Sequence, residues 1–164
     1  MTRAAIGLGC NLDAGRALKP ALRALARIPR TTLLASSSIY RSAPWGGARG
    51  GSFFNAAAIV DTVLSPWQLL RALRDVERAL GRLRGPHYGP RRIDLDLLCM
   101  DGVRLATPRL SLPHPQLLAR RFVLQPLCDI APTLVVAPGL CVRAALQRCP
   151  DRGRLWQEHA SDAP

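Results

Sequence analysis

Apolar and polar positions along this chain follow two periods, and each change of period marks an element. Residues 3–9 are short and apolar and read as a first strand. Leu18, Leu22 and Leu25 then recur at helical spacing, predicting a helix over about 13–27 that Pro29 stops. Residues 31–40 and 53–62 read as strands, with a glycine-rich loop, Pro44 to Gly51, between them. Ser65-Pro66-Trp67-Gln68 combines a cap, a proline at the first helical position and a glutamine that closes a capping box. The helix it starts runs to about Leu80, turns Leu69, Leu73, Val76 and Leu80 inward and carries Glu77 on part of that apolar face. Residues 82–90 have no period, whereas 92–99 alternate as a strand with Asp94 and Asp96 on one face. Asp101-Gly102 marks a tight turn into a short strand near 103–105. A short helix near 115–119, an irregular then helical stretch over 121–130, a strand at 134–137 and a helix at 140–148 complete the pattern.

The order β-α-β-β-α-β predicts an α+β fold: a ferredoxin-like αβ sandwich, an antiparallel sheet with two helices on one face. Residues 1–150 read as a single catalytic domain. Residues 151–164 are a tail whose weak pattern allows disorder.

A length of 164 residues and a 48% apolar composition suit one domain with a sizeable core. The formal charge is +12, and Lys19 is the only cation that is not arginine. Guanidinium groups grip phosphates in a forked geometry, so a polyanionic ligand fits, although an arginine-rich composition alone explains part of the charge. The five cysteines show no CxxC pair and no metal-finger spacing, and read as buried or free thiols in a reducing compartment. No apolar run approaches the roughly 20 residues of a membrane span. A cytoplasmic protein, with no membrane partner, is expected.

The chemistry concentrates around the aspartate pair. Two carboxylates roughly 7 Å apart on one strand face repel unless a cation lies between them, and Mg²⁺ bound to phosphates takes one or two carboxylates. Arg82, Arg84, Arg91 and Arg92 surround the pair. They form either plain salt bridges or, with the metal, a triphosphate site. His114, held between Pro113 and Pro115, is a rigid donor toward phosphate or a structural histidine. Asn55 can read the edge of a flat heterocycle, with Phe53 on the same face. There is no P-loop. Gly7-Leu8-Gly9 lacks the third glycine of a dinucleotide fingerprint and reads as a turn.

Taken in order, these segments resemble the 6-hydroxymethyl-7,8-dihydropterin pyrophosphokinase family of folate biosynthesis. The resemblance is carried by Gly7-Leu8-Gly9-Cys10-Asn11-Leu12, Ser37 to Pro44, Phe53-Phe54-Asn55-Ala56-Ala57, Glu77 with Gly81-Arg82, Gly89 to Asp96, Leu112-Pro113-His114-Pro115, Arg120 to Leu127 and Ile130-Ala131-Pro132. It covers about residues 1–140. It implies transfer of the β,γ-diphosphoryl group of ATP to the pterin hydroxymethyl oxygen, leaving AMP. Asp94 and Asp96 match the holders of two Mg²⁺ ions. Asp94 also matches a contact to the substrate hydroxyl. Arg82, Arg84 and Arg91 match phosphate-handling arginines, Arg82 and Arg91 being counted as catalytic with the aspartates. Glu77, Tyr88, Leu97, Ser111, His114 and Arg120 match the ATP side. Asn55 matches the reader of the pterin edge, Phe53 and Phe122 its sandwich, and Ser42, Ala43, Pro44 and Trp45 the rest of that pocket. Cys10 for a usual serine, Ala43 for a common proline and the segment Gly85-Pro86-His87-Tyr88 depart from the pattern.

Two rivals make different predictions. An RNA-binding ferredoxin-like module needs sheet aromatics in an RNP pattern, and the chain has none, so nucleic acid is not an expected partner. A two-metal nucleotidyltransferase would use the same aspartates but release pyrophosphate. The partners expected are ATP and the hydroxymethyl-dihydropterin, bound by a monomer.

Overall fold

The computed structural model describes residues 1–12, 15–43, 51–81 and 92–158. Its centre is β1 (Thr2–Cys10), paired antiparallel with β4 (Phe53–Thr62) on one side and β5 (Asp94–Met100) on the other. Beyond β4 lie β2 (Thr31–Ser36) and β3 (Ile39–Ser42). The single strand expected over 31–40 is therefore two. At the break, Ser37 N–H donates to Ala57 C=O at 2.9 Å, and the Ser37 hydroxyl replaces the return backbone acceptor by accepting from Ala57 N–H at 2.9 Å.

The first helix is shorter than its leucine spacing suggests. α1 spans Leu18–Leu25, because Gly15 at φ 80° turns the chain out of right-handed helical space just before it. α2 (Pro66–Ala79) has the expected start: Ser65 accepts from Gln68 N–H and Gln68 returns a bond to Ser65 N–H. α1 and α2 pack Leu18, Leu25, Leu69 and Leu73 on the face of the sheet formed by Ala4, Ile6, Leu8, Val60, Leu95 and Leu97.

The antiparallel sheet with two helices on one face is as expected; the second helical layer was not anticipated. α3 (Arg121–Ile130) and α4 (Val142–Arg148) cover the opposite face, where Leu124, Leu127, Val142 and Ala145 meet Ala5, Ala57, Ile59 and Leu98. β1, β4 and β5 are buried on both sides, so their near-continuous apolar runs follow from the architecture. Two small ribbons lie outside the main sheet: β6 (Leu105–Ala106) with β7 (Ser111–Leu112), and β8 (Val135–Ala137) with β9 (Leu140–Cys141).

The largest difference from the sequence reading lies at the C-terminal end. Within the stretch set apart as a tail, Leu155–Glu158 form β10, an edge strand antiparallel to β3. The guanidinium groups of Arg41 and Arg154 both lie over the Trp156 ring, at 5.2 and 5.3 Å from its centroid, and Arg41 Nε donates to Glu158 Oε1 at 3.0 Å. The sequence pattern missed this strand because its anchoring is lateral: one ring with two cations over it and a backbone ladder leave no apolar period. No helix among the described residues is long and apolar enough to cross a membrane.

Candidate active site

α3 and α4 cover only part of their face of the sheet. The remainder is the wall of a cavity of about 710 Å³. The cross-strand register shows how it is built. Tyr40 pairs with Asn55, Asn55 with Gly9, and Gly9 with Asp94. In the adjacent rows Ser42 pairs with Phe53, and Gly7 with Asp96. Partners in a ladder share a face, so the amide, both carboxylates and Phe53 all project toward the cavity.

Gly7 and Gly9 are not a turn. They lie inside the central strand, and their missing side chains open the cavity floor between Asn55 and the aspartates. A Cβ on Gly9 would stand 3.3 Å from Asn55 Oδ1, and one on Gly7 3.3 Å from Leu98. The turn reading failed because glycine in a strand interior is disfavoured unless something must approach the backbone closely.

Each wall has a local cause. Asn55 is buried, and its Nδ2 donates to Ser42 Oγ at 3.4 Å. Glu77 on α2 is only 2% exposed, and its Oε1 accepts the Leu95 N–H at 2.7 Å. It thereby satisfies a backbone donor on the outer edge of β5, between the two aspartates. Beyond β7, His114 N–H donates to Leu98 C=O at 2.7 Å, and His114 Nδ1 accepts from Gln116 N–H at 3.1 Å. A neutral imidazole bonded in this way carries its own proton on Nε2, which leaves that nitrogen a donor. Arg120 lies immediately before α3 with its guanidinium 5.8 Å from the Phe122 ring centroid.

Of the residues singled out from sequence, Ser42, Phe53, Asn55, Glu77, Asp94, Asp96, Leu97, Ser111, His114, Arg120 and Phe122 line this one cavity. Ala43 is exposed just after β3, outside the wall. Pro44, Trp45, Arg82, Arg84, Tyr88 and Arg91 lie outside the described residues. Arg74, Arg109, Thr107 and Gln116 also line the cavity and were not anticipated. Arg74 precedes Glu77 by one helical turn, a spacing that could have flagged it. Arg109 lies between two strands of two residues each, where no period exists.

Among the described residues no group of three or more His, Cys, Asp or Glu side chains is arranged around a metal position. The cysteines are free thiols. Burial pushes the Cys99 thiol up to about 11 and raises that of Cys128. Neither thiol is primed as a nucleophile.

Comparison with known proteins places the chain in a family. Residues 5–132 match the family model described as 7,8-dihydro-6-hydroxymethylpterin-pyrophosphokinase (HPPK). A 2-amino-4-hydroxy-6-hydroxymethyldihydropteridine pyrophosphokinase of Methylorubrum extorquens is 44% identical over 93% of this chain and 97% of its own length. Its namesake from Pseudomonas aeruginosa is 42% identical over 92% and 94%. Among solved structures, wild-type HPPK-DHPS of Plasmodium falciparum superposes with a TM-score of 0.68 at 14% identity. An HPPK-DHPS in complex with substrates also gives 0.68 at 14%. Both cover 90% of this chain, which spans 41% and 43% of theirs, and at that identity they speak to the fold alone. The sequence match runs from within the central strand to just past α3 and so takes in the cavity walls that both elements supply: the chain belongs to the 7,8-dihydro-6-hydroxymethylpterin-pyrophosphokinase family.

Proposed function

We propose that the family's reaction, diphosphoryl transfer from ATP to the hydroxymethyl group of 6-hydroxymethyl-7,8-dihydropterin with release of AMP, runs in this cavity with the following division of roles. The observation that carries it is the row Asn55, Gly9, Asp94. Two inter-strand spacings separate the amide from the carboxylate, roughly 9–10 Å. A two-ring heterocycle with a one-carbon arm bridges that gap, its amide edge on Asn55 and its hydroxyl beside Asp94. Phe53 and Phe122 contribute the aromatic faces that favour a flat ring between them; Ser42 lines the acceptor side, to which the family pattern also assigns Ala43, Pro44 and Trp45. Glu77, Leu97, Ser111, His114 and Arg120 serve the ATP side, with Arg82, Arg84, Tyr88 and Arg91 completing it. Both substrates then lie in one cavity, and the barrier falls largely through positioning and charge stabilisation.

Asp94 and Asp96 fit a hard divalent cation. Both are oxygen donors on one strand face, with Gly7 and Gly9 leaving the floor beside them free of side chains. They would hold the two Mg²⁺ of the proposed site, whose chemistry is to offset triphosphate charge. The arginines and the Nε2–H of His114 orient the phosphate oxygens. All of these groups come from one chain, so the catalytic unit is taken as a monomer. The free thiols suit a reducing cytoplasm.

The test is incubation with ATP, Mg²⁺ and the reduced hydroxymethylpterin, followed by nucleotide analysis. Pterin-dependent AMP is expected. Pyrophosphate release without AMP formed by diphosphoryl transfer would support the nucleotidyltransferase reading instead. Asp96→Ala is expected to abolish turnover while circular dichroism and thermal unfolding stay near wild type. Full activity in that variant would remove the metal role.

A further inference from the structure

The C-terminal segment, beyond the residues 5–132 that match the family model, touches both acceptor walls. Asp151 Oδ2 accepts the Arg121 N–H at 3.0 Å, at the first residue of α3, and Asp151 Oδ1 accepts the Gly153 N–H at 2.8 Å. Arg120, the residue in the capping position, supplies no side-chain cap, so this carboxylate takes over that function from thirty residues away. Four residues further on, Leu155 pairs with Ser42, which itself pairs with Phe53. Phe122 follows Arg121 directly. One short segment thus joins the helix turn carrying Phe122 to the strand row carrying Phe53.

Four residues reach at most about 13–14 Å. The segment therefore sets an upper limit on the distance between these two walls. Trp156, paired with Arg41 of β3 and carrying that guanidinium over its ring, anchors the far end to β3. The opposite end of α3 is tied to the same strand by Tyr40, whose hydroxyl donates to Asp129 Oδ2 at 2.5 Å. Pro126, in the helix between these ties, lacks the N–H that would bond the carbonyl of Phe122. The first turn of α3 therefore depends more on its external cap than an uninterrupted helix would.

We propose that Asp151 is a positioning residue for the acceptor: through the first turn of α3 it sets Phe122 against Phe53, and residues 151–158 act as a strap across the acceptor pocket. This rests on the reading of Phe53, Asn55 and Phe122 as the acceptor site.

The test compares Asp151→Ala, Asp151→Asn, Trp156→Leu, Phe122→Ala and Asn55→Ala in steady-state kinetics with each substrate varied, alongside thermal unfolding. Asp151→Ala should raise KM for the hydroxymethylpterin several-fold, up to about tenfold for a lost cap. KM for ATP should stay within about twofold. Asp151→Asn retains an oxygen acceptor and should recover most of the loss. Trp156→Leu, which loosens the other end, should shift the same constant in the same direction and decides the matter if Asp151→Ala does not fold. A lowered melting temperature with both KM values unchanged in Asp151→Ala, or in Trp156→Leu where it alone folds, would reduce the segment to a stabilising element and overturn the proposal. If Phe122→Ala and Asn55→Ala leave the acceptor KM unchanged, the acceptor-site reading itself fails. If they raise it while the folded strap variants do not, only the strap fails.

Discussion

Glu77 shows how one residue serves both stability and the site. Its carboxylate is buried, and the Leu95 N–H it accepts belongs to β5, which among the described residues pairs with no strand of the sheet but β1. Glu77→Ala leaves that donor without this acceptor, a loss of about 1–3 kcal/mol. Urea unfolding should show a lower midpoint, and turnover should fall with it, because Leu95 lies between Asp94 and Asp96. An unchanged midpoint would mean that the bond contributes little. Gly9 is expected to show the opposite balance. Alanine there should gain about 0.5–1 kcal/mol from reduced freedom of the unfolded chain, less whatever its tight Cβ contact costs. The Cβ, 3.3 Å from Asn55 Oδ1, should displace that amide. The expected result of Gly9→Ala is a melting temperature near or above wild type with a several-fold higher KM for the pterin. An unaltered KM would show that Asn55 can shift without consequence. Sequence indicated Asn55 and the aspartates because their chemistry is visible in a residue name. It did not indicate the glycines, whose contribution is the absence of a side chain at a place only the register identifies.

Between elements, the Tyr40–Asp129 bond joins β3 to α3 across the sheet face. Burial of the phenol, and then its bond to and charge repulsion by Asp129, raise the Tyr40 pKa from 10.0 to about 12. The folded state therefore holds this proton more tightly than the unfolded chain does. The stabilisation is fully present below about pH 10 and is lost as pH rises through about 12. Tyr40→Phe should be less stable than wild type at neutral pH, by about 0.5–1.5 kcal/mol for one hydrogen bond. The gap in melting temperature should close between pH 10 and 12. A gap independent of pH over that window would exclude the linkage. α2 and β5 were legible from sequence because capping box, helical period and alternation all agree there. α3 was only half legible, because its interior proline contradicts the helix that tertiary packing nonetheless enforces. β10 was not legible at all.

At the scale of the whole molecule, the sheet is covered by helices on both faces, and the cavity is the part of one face that they leave uncovered. That arrangement makes the C-terminal segment part of the fold. Ending the chain after Pro150 exposes the edge of β3 and removes the Asp151 cap. A melting temperature lower by about 5 °C or more is expected, given ~2–4 °C per kcal/mol at this size. A bare β3 edge should also promote association, which light scattering on the shortened chain can follow. An unchanged melting temperature would show that residues 151–164 add nothing to stability.

By itself the sequence determined the antiparallel α+β order, the start of α2, the alternation that pairs Asp94 with Asp96, and the family whose motifs these are. Each is local: a cap, a period or a spacing is set by residues close together in the chain. Tertiary structure alone decided that Gly7 and Gly9 are a floor, that α3 and α4 take the second face, that Glu77 serves the edge of β5, and that the last strand returns to β3. These depend on cross-strand register and on contacts between residues from 18 to more than a hundred positions apart. Such contacts leave no period in the chain, because their free energy arises only once the sheet brings the partners together.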